Sequence, residues 1–176
     1  MKIFLMILIL FMNLKGETMQ EEATFGGGCF WGVEEHFRTM DGVISTESGY
    51  MGGHLKNPTY QEVCTDKTGH AEVVHIVFNK NKISYRQLLD AFFAMHNPTQ
   101  LNRQGPDFGT QYRSVVFYHT SEQKSMAENM IRELGRSEKF KKNKIVTVIE
   151  EAAVFYPAEE YHQKYLYKRG MKSCGI

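Results

Sequence analysis

Cys29 stands between three glycines and two aromatics in the run Gly26-Gly27-Gly28-Cys29-Phe30-Trp31-Gly32. Three glycines let a backbone turn sharply and approach a ligand closely. A helix starting at Cys29 would set its sulfur in the first turn, where free N–H groups and the positive end of the helix dipole favour a thiolate. Phe30 and Trp31 could wall a pocket for a methyl group or a thioether. A lone cysteine beside core aromatics is commonly just buried. The triple glycine in front of this one shifts the reading toward a reactive thiol.

Glu72 is the second candidate. Residues 71–78 alternate as a strand, with Glu72, Val74, Ile76 and Phe78 on one face. A carboxylate at the end of an apolar face loses solvation, its pKa rises, and it can donate a proton near neutral pH. The same position also suits an ordinary strand end in solvent. Tyr60, Asp107 and Tyr112 lie in or beside loops, and phenol hydroxyls can donate to a polar oxygen without titrating near pH 7. Seven histidines, His70 and His75 among them, show no HExxH-like spacing, so no metal site is expected.

The elements that must position these groups are readable from periodicity and turn chemistry. Residues 23–28 read as a short strand entering a glycine turn, 29–40 as a helix, and 43–50 as a strand rich in β-branched and aromatic residues. Residues 51–59 hold Gly52, Gly53, Asn57 and Pro58 and read as a loop. Ser84 can cap a helix in which Tyr85, Leu88, Leu89, Phe92 and Phe93 form a core-facing stripe. Residues 97–111 form a long loop of the kind that is often functional. Residues 114–119 read as a strand. Thr120 and Gln123 have capping-box spacing for a helix over 121–137. Residues 145–150 read as a further strand, and Pro157 suits the first turn of a helix reaching about residue 167. Residues 169–176, with Gly170 and Gly175, are expected to form a mobile tail. The pattern predicts one α+β layer structure, a mixed sheet covered by helices.

Apolar residues make up 42% of the 176, enough to build a core, and a net charge of +1 gives no general attraction to nucleic acid. Lys2 precedes an unbroken apolar run over residues 3–12, too short to span a membrane and followed by Asn13, Lys15, Gly16 and Glu17. Residues 1–20 therefore read as a secretory signal with an unclear cleavage site, ahead of a catalytic domain over 21–176. Export to a periplasmic or extracellular space is expected, with a cytoplasmic location as the alternative. Three cysteines, Cys29, Cys64 and Cys174, make an odd set without CxxC spacing, which disfavours a disulfide scaffold and fits a reactive thiol.

Five strings in order resemble the peptide methionine sulfoxide reductase A family, from about residue 24 to residue 176. They are Gly28-Cys29-Phe30-Trp31-Gly32, the run from Asn57 through Tyr60 to Cys64, and Thr68-Gly69-His70-Ala71-Glu72. Then come Asp107 through Tyr112 to Ser114, and Tyr161-His162-Gln163-Lys164-Tyr165-Leu166. The resemblance implies an α/β roll that reduces the S epimer of methionine sulfoxide, free or in proteins. A thioredoxin-like reductant would recycle it without a bound cofactor. It implies Cys29 as nucleophile, Glu72 as proton donor, Tyr60 and Tyr112 as holders of the sulfoxide oxygen, Asp107 in the polar network, and Phe30 and Trp31 as the methyl pocket. The oxidised Cys29 needs a second thiol. The tail offers Cys174 and Cys64 is the other candidate. Some relatives carry two tail cysteines, whereas this chain has Cys174 alone, so a Cys29–Cys174 bond would be reduced directly. A monomer is expected. Two other readings use the same residues: a module that binds sulfoxide peptides without chemistry, and a cysteine hydrolase pairing Cys29 with a histidine such as His162.

Overall fold

The computed structural model describes residues 19–172. Residues 1–18, which hold nearly all of the expected leader, and residues 173–176, which include Cys174, lie outside the described residues.

The chain opens with β1 (Gln20–Gly26), the glycine turn, α1 (Phe30–Arg38) and β2 (Val43–Met51). A short α2 (Tyr60–Val63) leads to β3 (Ala71–Asn79) and α3 (Tyr85–Met95). The long loop carries a two-stranded ribbon, β4 (Arg103–Gln104) and β5 (Asp107–Phe108), then a 3-10 turn over Thr110–Tyr112. Next come β6 (Val115–Tyr118), α4 (Ser121–Arg136), β7 (Val148–Glu151) and β8 (Tyr156–Pro157), then a 3-10 turn over Glu160–His162 and α5 (Tyr165–Lys168). Six strands form one sheet in the order β7-β6-β1-β3-β2-β8. All pairings are antiparallel except β6 with β7, so the sheet is mixed as the sequence predicts.

One sheet face carries Phe25 of β1 and Val74, Ile76 and Phe78 of β3 into the main core. The expected stripe of α3 is buried against them, and Ser84 caps it through a full capping box with Gln87. Phe25 lies between Phe37 and Phe92, with ring centroids at 5.4 and 5.0 Å. Each large apolar side chain buried this way contributes about 1.5–3 kcal/mol before entropy is counted. The other face is thinner: Met51, Ala71, Val73, Val115 and Phe117, covered by Ala152 and Phe155.

Three local expectations are corrected. Thr120 does accept from the Gln123 N–H, but the Gln123 side chain does not complete the box. Its oxygen takes the His119 N–H and its amide donates to the Glu22 carbonyl, tying α4 to β1 instead. The strand expected over 145–150 runs Val148–Glu151, because the edge begins only where the Val148 N–H meets the Ser114 carbonyl and Val115 comes into register. Pro157 starts no helix. It sits in edge strand β8 beside Gly49, and the segment behind it breaks into a 3-10 turn and α5 with Lys164 at φ 51° between them. Side-chain bonds to β2 override the local helix signal there, since Gln163 accepts from the Ser48 N–H and donates to the Ser48 carbonyl.

β1 delivers the glycine turn against β3 with no room to spare. A Cβ on Gly26 would lie 2.7 Å from the Glu72 carbonyl oxygen and 2.9 Å from Val115 Cγ1. The carbonyl is part of the sheet and cannot swing aside. Gly26→Ala should therefore lower stability by about 1–3 kcal/mol, the usual cost of overpacking a filled site. Urea unfolding checks this, and an unchanged midpoint would show that the strands can part freely.

Candidate active site

The glycine turn works because Gly28 adopts φ 98°, a left-handed conformation that disfavours other residues. That turn sets Cys29 as the N-cap of α1, half-buried, with its carbonyl accepting from Gly32 and Val33. The first N–H of α1, that of Phe30, donates to Glu72 Oε2 at 3.1 Å. Glu72 is 1% exposed, so it is an interior carboxylate and not a solvated strand end. The nucleophile candidate and the acid candidate thus meet at one helix N-terminus.

Tyr60 and Tyr112 both lie within reach of the Glu72 charge. Burial raises the Tyr60 phenol above its ordinary value, followed by its hydrogen bond to Cys64 and the Glu72 charge. Burial likewise raises Tyr112, with Glu72, Cys64, Asp107 and Cys29 adding to it. Both phenols therefore stay neutral and keep their O–H donors near neutral pH. Asp107, on β5, is half-buried, and burial pushes its carboxyl up. Its charge is felt by Tyr112, which puts it at the same cluster. Cys64 is exposed at the C-cap of α2, and burial of its sulfur, offset in part by the Tyr60 hydroxyl, pushes its thiol up.

Phe30 is 1% exposed and faces Tyr50, Tyr60 and His162 with ring centroids 5.9, 6.5 and 5.1 Å away. Trp31 is half-buried, stacked on Tyr165 at 3.6 Å, and its indole N–H donates to His162 Nδ1 at 3.0 Å. That bond occupies the nitrogen, while Nε2 is buried without a partner. With Nδ1 accepting, the neutral ring carries its proton on Nε2, so His162 offers no open lone pair to a thiol, which argues against it as the base of a cysteine hydrolase.

Several residues that sequence reasoning passed over hold this cluster. Tyr50 is buried opposite Glu72 in the β2–β3 register, and its hydroxyl donates to Glu159 Oε2 at 2.9 Å. Glu159 Oε1 accepts the Tyr60 N–H at 2.9 Å, fixing the start of α2. Burial opposes the Glu159 charge, but the Tyr60 and Glu159 N–H groups and the Tyr50 hydroxyl outweigh it and hold the carboxyl below its ordinary value. The strand register could have pointed to Tyr50. Glu159 lay inside the segment misread as one helix. Beside the turn runs a groove of ≈ 520 Å³ touched by Gly27, Gly32, His96, Gln104 and Lys172. Among the described residues no group of three or more His, Cys, Asp or Glu side chains is placed to hold a metal ion.

With this geometry in place, comparison with known proteins is specific. A family model described as peptide methionine sulfoxide reductase matches residues 21–176. A peptide methionine sulfoxide reductase MsrA of Methanothermobacter thermautotrophicus is 58% identical over 154 residues, covering 88% of this chain and 90% of the relative. One from Acidobacterium capsulatum is 59% identical, covering 88% of this chain and 99% of the relative. Among solved structures, reduced Mxr1 of Saccharomyces cerevisiae superposes with a TM-score of 0.80 at 38% identity, covering 88% of each chain. The same yeast protein in complex with Trx2 matches with a TM-score of 0.60 at 27% identity over 85% of this chain and 86% of that one.

Exposure alone would make Cys64 the thiol that reagents reach first. The helix start at Cys29 and the raised Cys64 thiol argue the reverse. Iodoacetamide at pH 7 should label Cys29 faster than Cys64 by on the order of ten-fold, read by peptide mass spectrometry. Equal rates, or Cys64 first, would overturn the assignment of Cys29 as the activated sulfur.

Proposed function

The chain belongs to the peptide methionine sulfoxide reductase family, and on that premise we propose that Cys29 reduces the S epimer of methionine sulfoxide, with Cys174 as the resolving thiol. The observation that carries this reading is the Phe30 N–H to Glu72 bond, which sets a buried acid beside the helix start that bears the sulfur. The chemistry needs that pairing. The sulfoxide sulfur is electrophilic, but its oxygen leaves poorly unless protonated.

The Cys29 thiolate attacks the sulfoxide sulfur while Glu72 delivers a proton to the oxygen. Tyr60 and Tyr112 donate hydrogen bonds to that oxygen, and Asp107 orders the polar network beside Tyr112. Phe30 and Trp31 take the methyl group. Two electrons pass from the thiol to the substrate, which leaves as methionine, and the oxygen ends on Cys29 as a sulfenic acid. A second thiol condenses with it, releasing water and forming a disulfide. A thioredoxin-like donor then reduces that disulfide by exchange. The complex of yeast Mxr1 with Trx2 supports this class of reductant. Thiols supply every electron, so the cycle calls for no bound cofactor, and one chain supplies every group named.

Chain length supports Cys174 as the resolving thiol. Lys172, the last described residue, lines the same groove as Gly27, and Cys174 follows only two residues later. Cys64, whose thiol is pushed up, is the poorer candidate. Export through the leader remains part of the proposal. β1 begins at Gln20 and the Met19 carbonyl accepts from Lys80, so cleavage ahead of Met19 leaves the fold whole.

Cys29→Ser should abolish turnover of a sulfoxide peptide. Cys174→Ser should release one equivalent of methionine and then stall with thioredoxin, resuming on addition of a small dithiol. Normal steady-state turnover with thioredoxin would move the resolving role elsewhere. Glu72→Gln should slow the single-turnover step by about 10²-fold or more, the usual worth of a positioned acid, and an unchanged rate would remove it from that role. The intact mass of the mature protein, expressed with its leader, checks export: loss of a segment ahead of residue 20 is expected, and retention of Met1 would refute it.

A further inference from the structure

One buried carboxylate takes no part in this mechanism. Glu34 sits one turn beyond Trp31 on α1 and is 1% exposed. Its Oε1 accepts from the Thr46 hydroxyl at 3.2 Å, and its Oε2 accepts from the Ser48 hydroxyl at 3.1 Å and from the Lys164 backbone N–H at 2.7 Å. Burial pushes its carboxyl up, and those three donors, the Lys164 amide foremost, pull it part of the way back. A carboxylate stripped of water at this depth needs a structural reason.

The reason lies in what Lys164 begins. Its backbone is left-handed, at φ 51° and ψ 40°, a strained conformation for a residue with a side chain. There the chain turns back over α1. Just before it, His162 accepts the Trp31 indole N–H. Just after it, Tyr165 lies on the Trp31 face, 3.6 Å away and within 4° of parallel. The Arg169 guanidinium lies over Tyr165 in turn, at 3.6 Å. This C-terminal arm therefore grips Trp31 at its only polar atom and across its ring. Of the three donors to Glu34, the hydroxyls can rotate to other partners, but the amide cannot.

We propose that Glu34 is a positioning residue for substrate binding: by holding the Lys164 amide it fixes the arm that presses His162 and Tyr165 onto Trp31. The proposal rests on Trp31 walling the methyl pocket. Helix α1 thus carries the wall and also anchors the clamp that orients it. Losing the anchor weakens ground-state and transition-state binding alike, and leaves Cys29 and Glu72 in place.

Trp31 is the only tryptophan of the chain, so its fluorescence reports on this contact alone. Glu34→Leu should raise KM for a sulfoxide peptide by about ten-fold with kcat little changed. Trp31 emission should shift to the red, and Cys29 alkylation should keep its native rate. Glu34→Gln retains a carbonyl for the Lys164 N–H and should restore KM and emission. Tyr165→Leu should raise KM like Glu34→Leu, and the double variant should add little to either. Native KM and emission in Glu34→Leu, or a Gln variant as impaired as the Leu variant, would overturn the proposal. If Glu34→Leu does not fold, Glu34→Asp, which draws the carboxylate back from the amide, must shift both readouts the same way or the proposal fails. Trp31→Leu separates the premise: unchanged KM there removes the pocket reading, while the emission of the Glu34 variants still decides whether Glu34 controls Trp31.

Discussion

The bond from the Phe30 N–H to the Glu72 carboxylate is the constraint around which the rest of the site is arranged. It joins the first turn of α1 to the first residues of β3, two elements far apart in sequence. The bond can form only if β1 and β3 run close enough to bring the glycine turn over Glu72. Gly26 permits that approach, because any side chain there would strike the Glu72 carbonyl. Gly28 then reverses the chain so that Cys29, and not a neighbour, caps the helix. The proposed nucleophile and acid are thereby held by backbone geometry, which costs little reorganisation when substrate arrives.

A buried carboxylate is expensive unless its surroundings satisfy it. Here the surroundings are phenols and backbone N–H groups. Tyr50, Tyr60, Cys64 and Tyr112 all feel the Glu72 charge, and all are raised by burial first. None of these groups ionises readily near neutral pH. They therefore sit near the acid as neutral groups and not as competing anions. Glu159 performs the complementary task at the edge of the cluster. It is held in its charged form by N–H and O–H donors and fastens Tyr50 and α2 to the C-terminal segment.

Much of this was legible in the sequence, for reasons that differ by element. The α3 stripe and the β3 alternation are strong periodic signals, and the elements they predict carry the main core. The Gly-Gly-Gly-Cys run predicted its turn because glycine at positive φ leaves few alternatives. The C-terminal segment was misread because its conformation is set from outside. Gln163 completes the hydrogen bonding of β2 at Ser48, and Glu34 captures the Lys164 amide. Neither partner is visible to a local window. The same blindness hid Tyr50 and Glu159, and the bond of His162 to Trp31, because these contacts are made across 99 or more residues for Tyr50 and Glu159 and 131 for His162.

The C-terminal segment therefore has two duties that bear on each other. It grips Trp31 through His162 and Tyr165, and it leads directly into the residues that include Cys174. In the proposed cycle Cys174 reacts with Cys29 after the first chemical step, so the segment leading to it has to leave the Trp31 contact intact. Two anchors bear on this. Gln163 at Ser48 and Lys164 at Glu34 fix the chain ahead of Tyr165, and the Met171 N–H to the Leu166 carbonyl closes it again just past Gly170. Cys64 is placed differently: burial raises its thiol and its sulfur engages Tyr60. The C-terminal segment thus braces the Trp31 ring and leads on to Cys174, with two hydrogen-bonded anchors, Gln163 at Ser48 and Lys164 at Glu34, holding the bracing part in place.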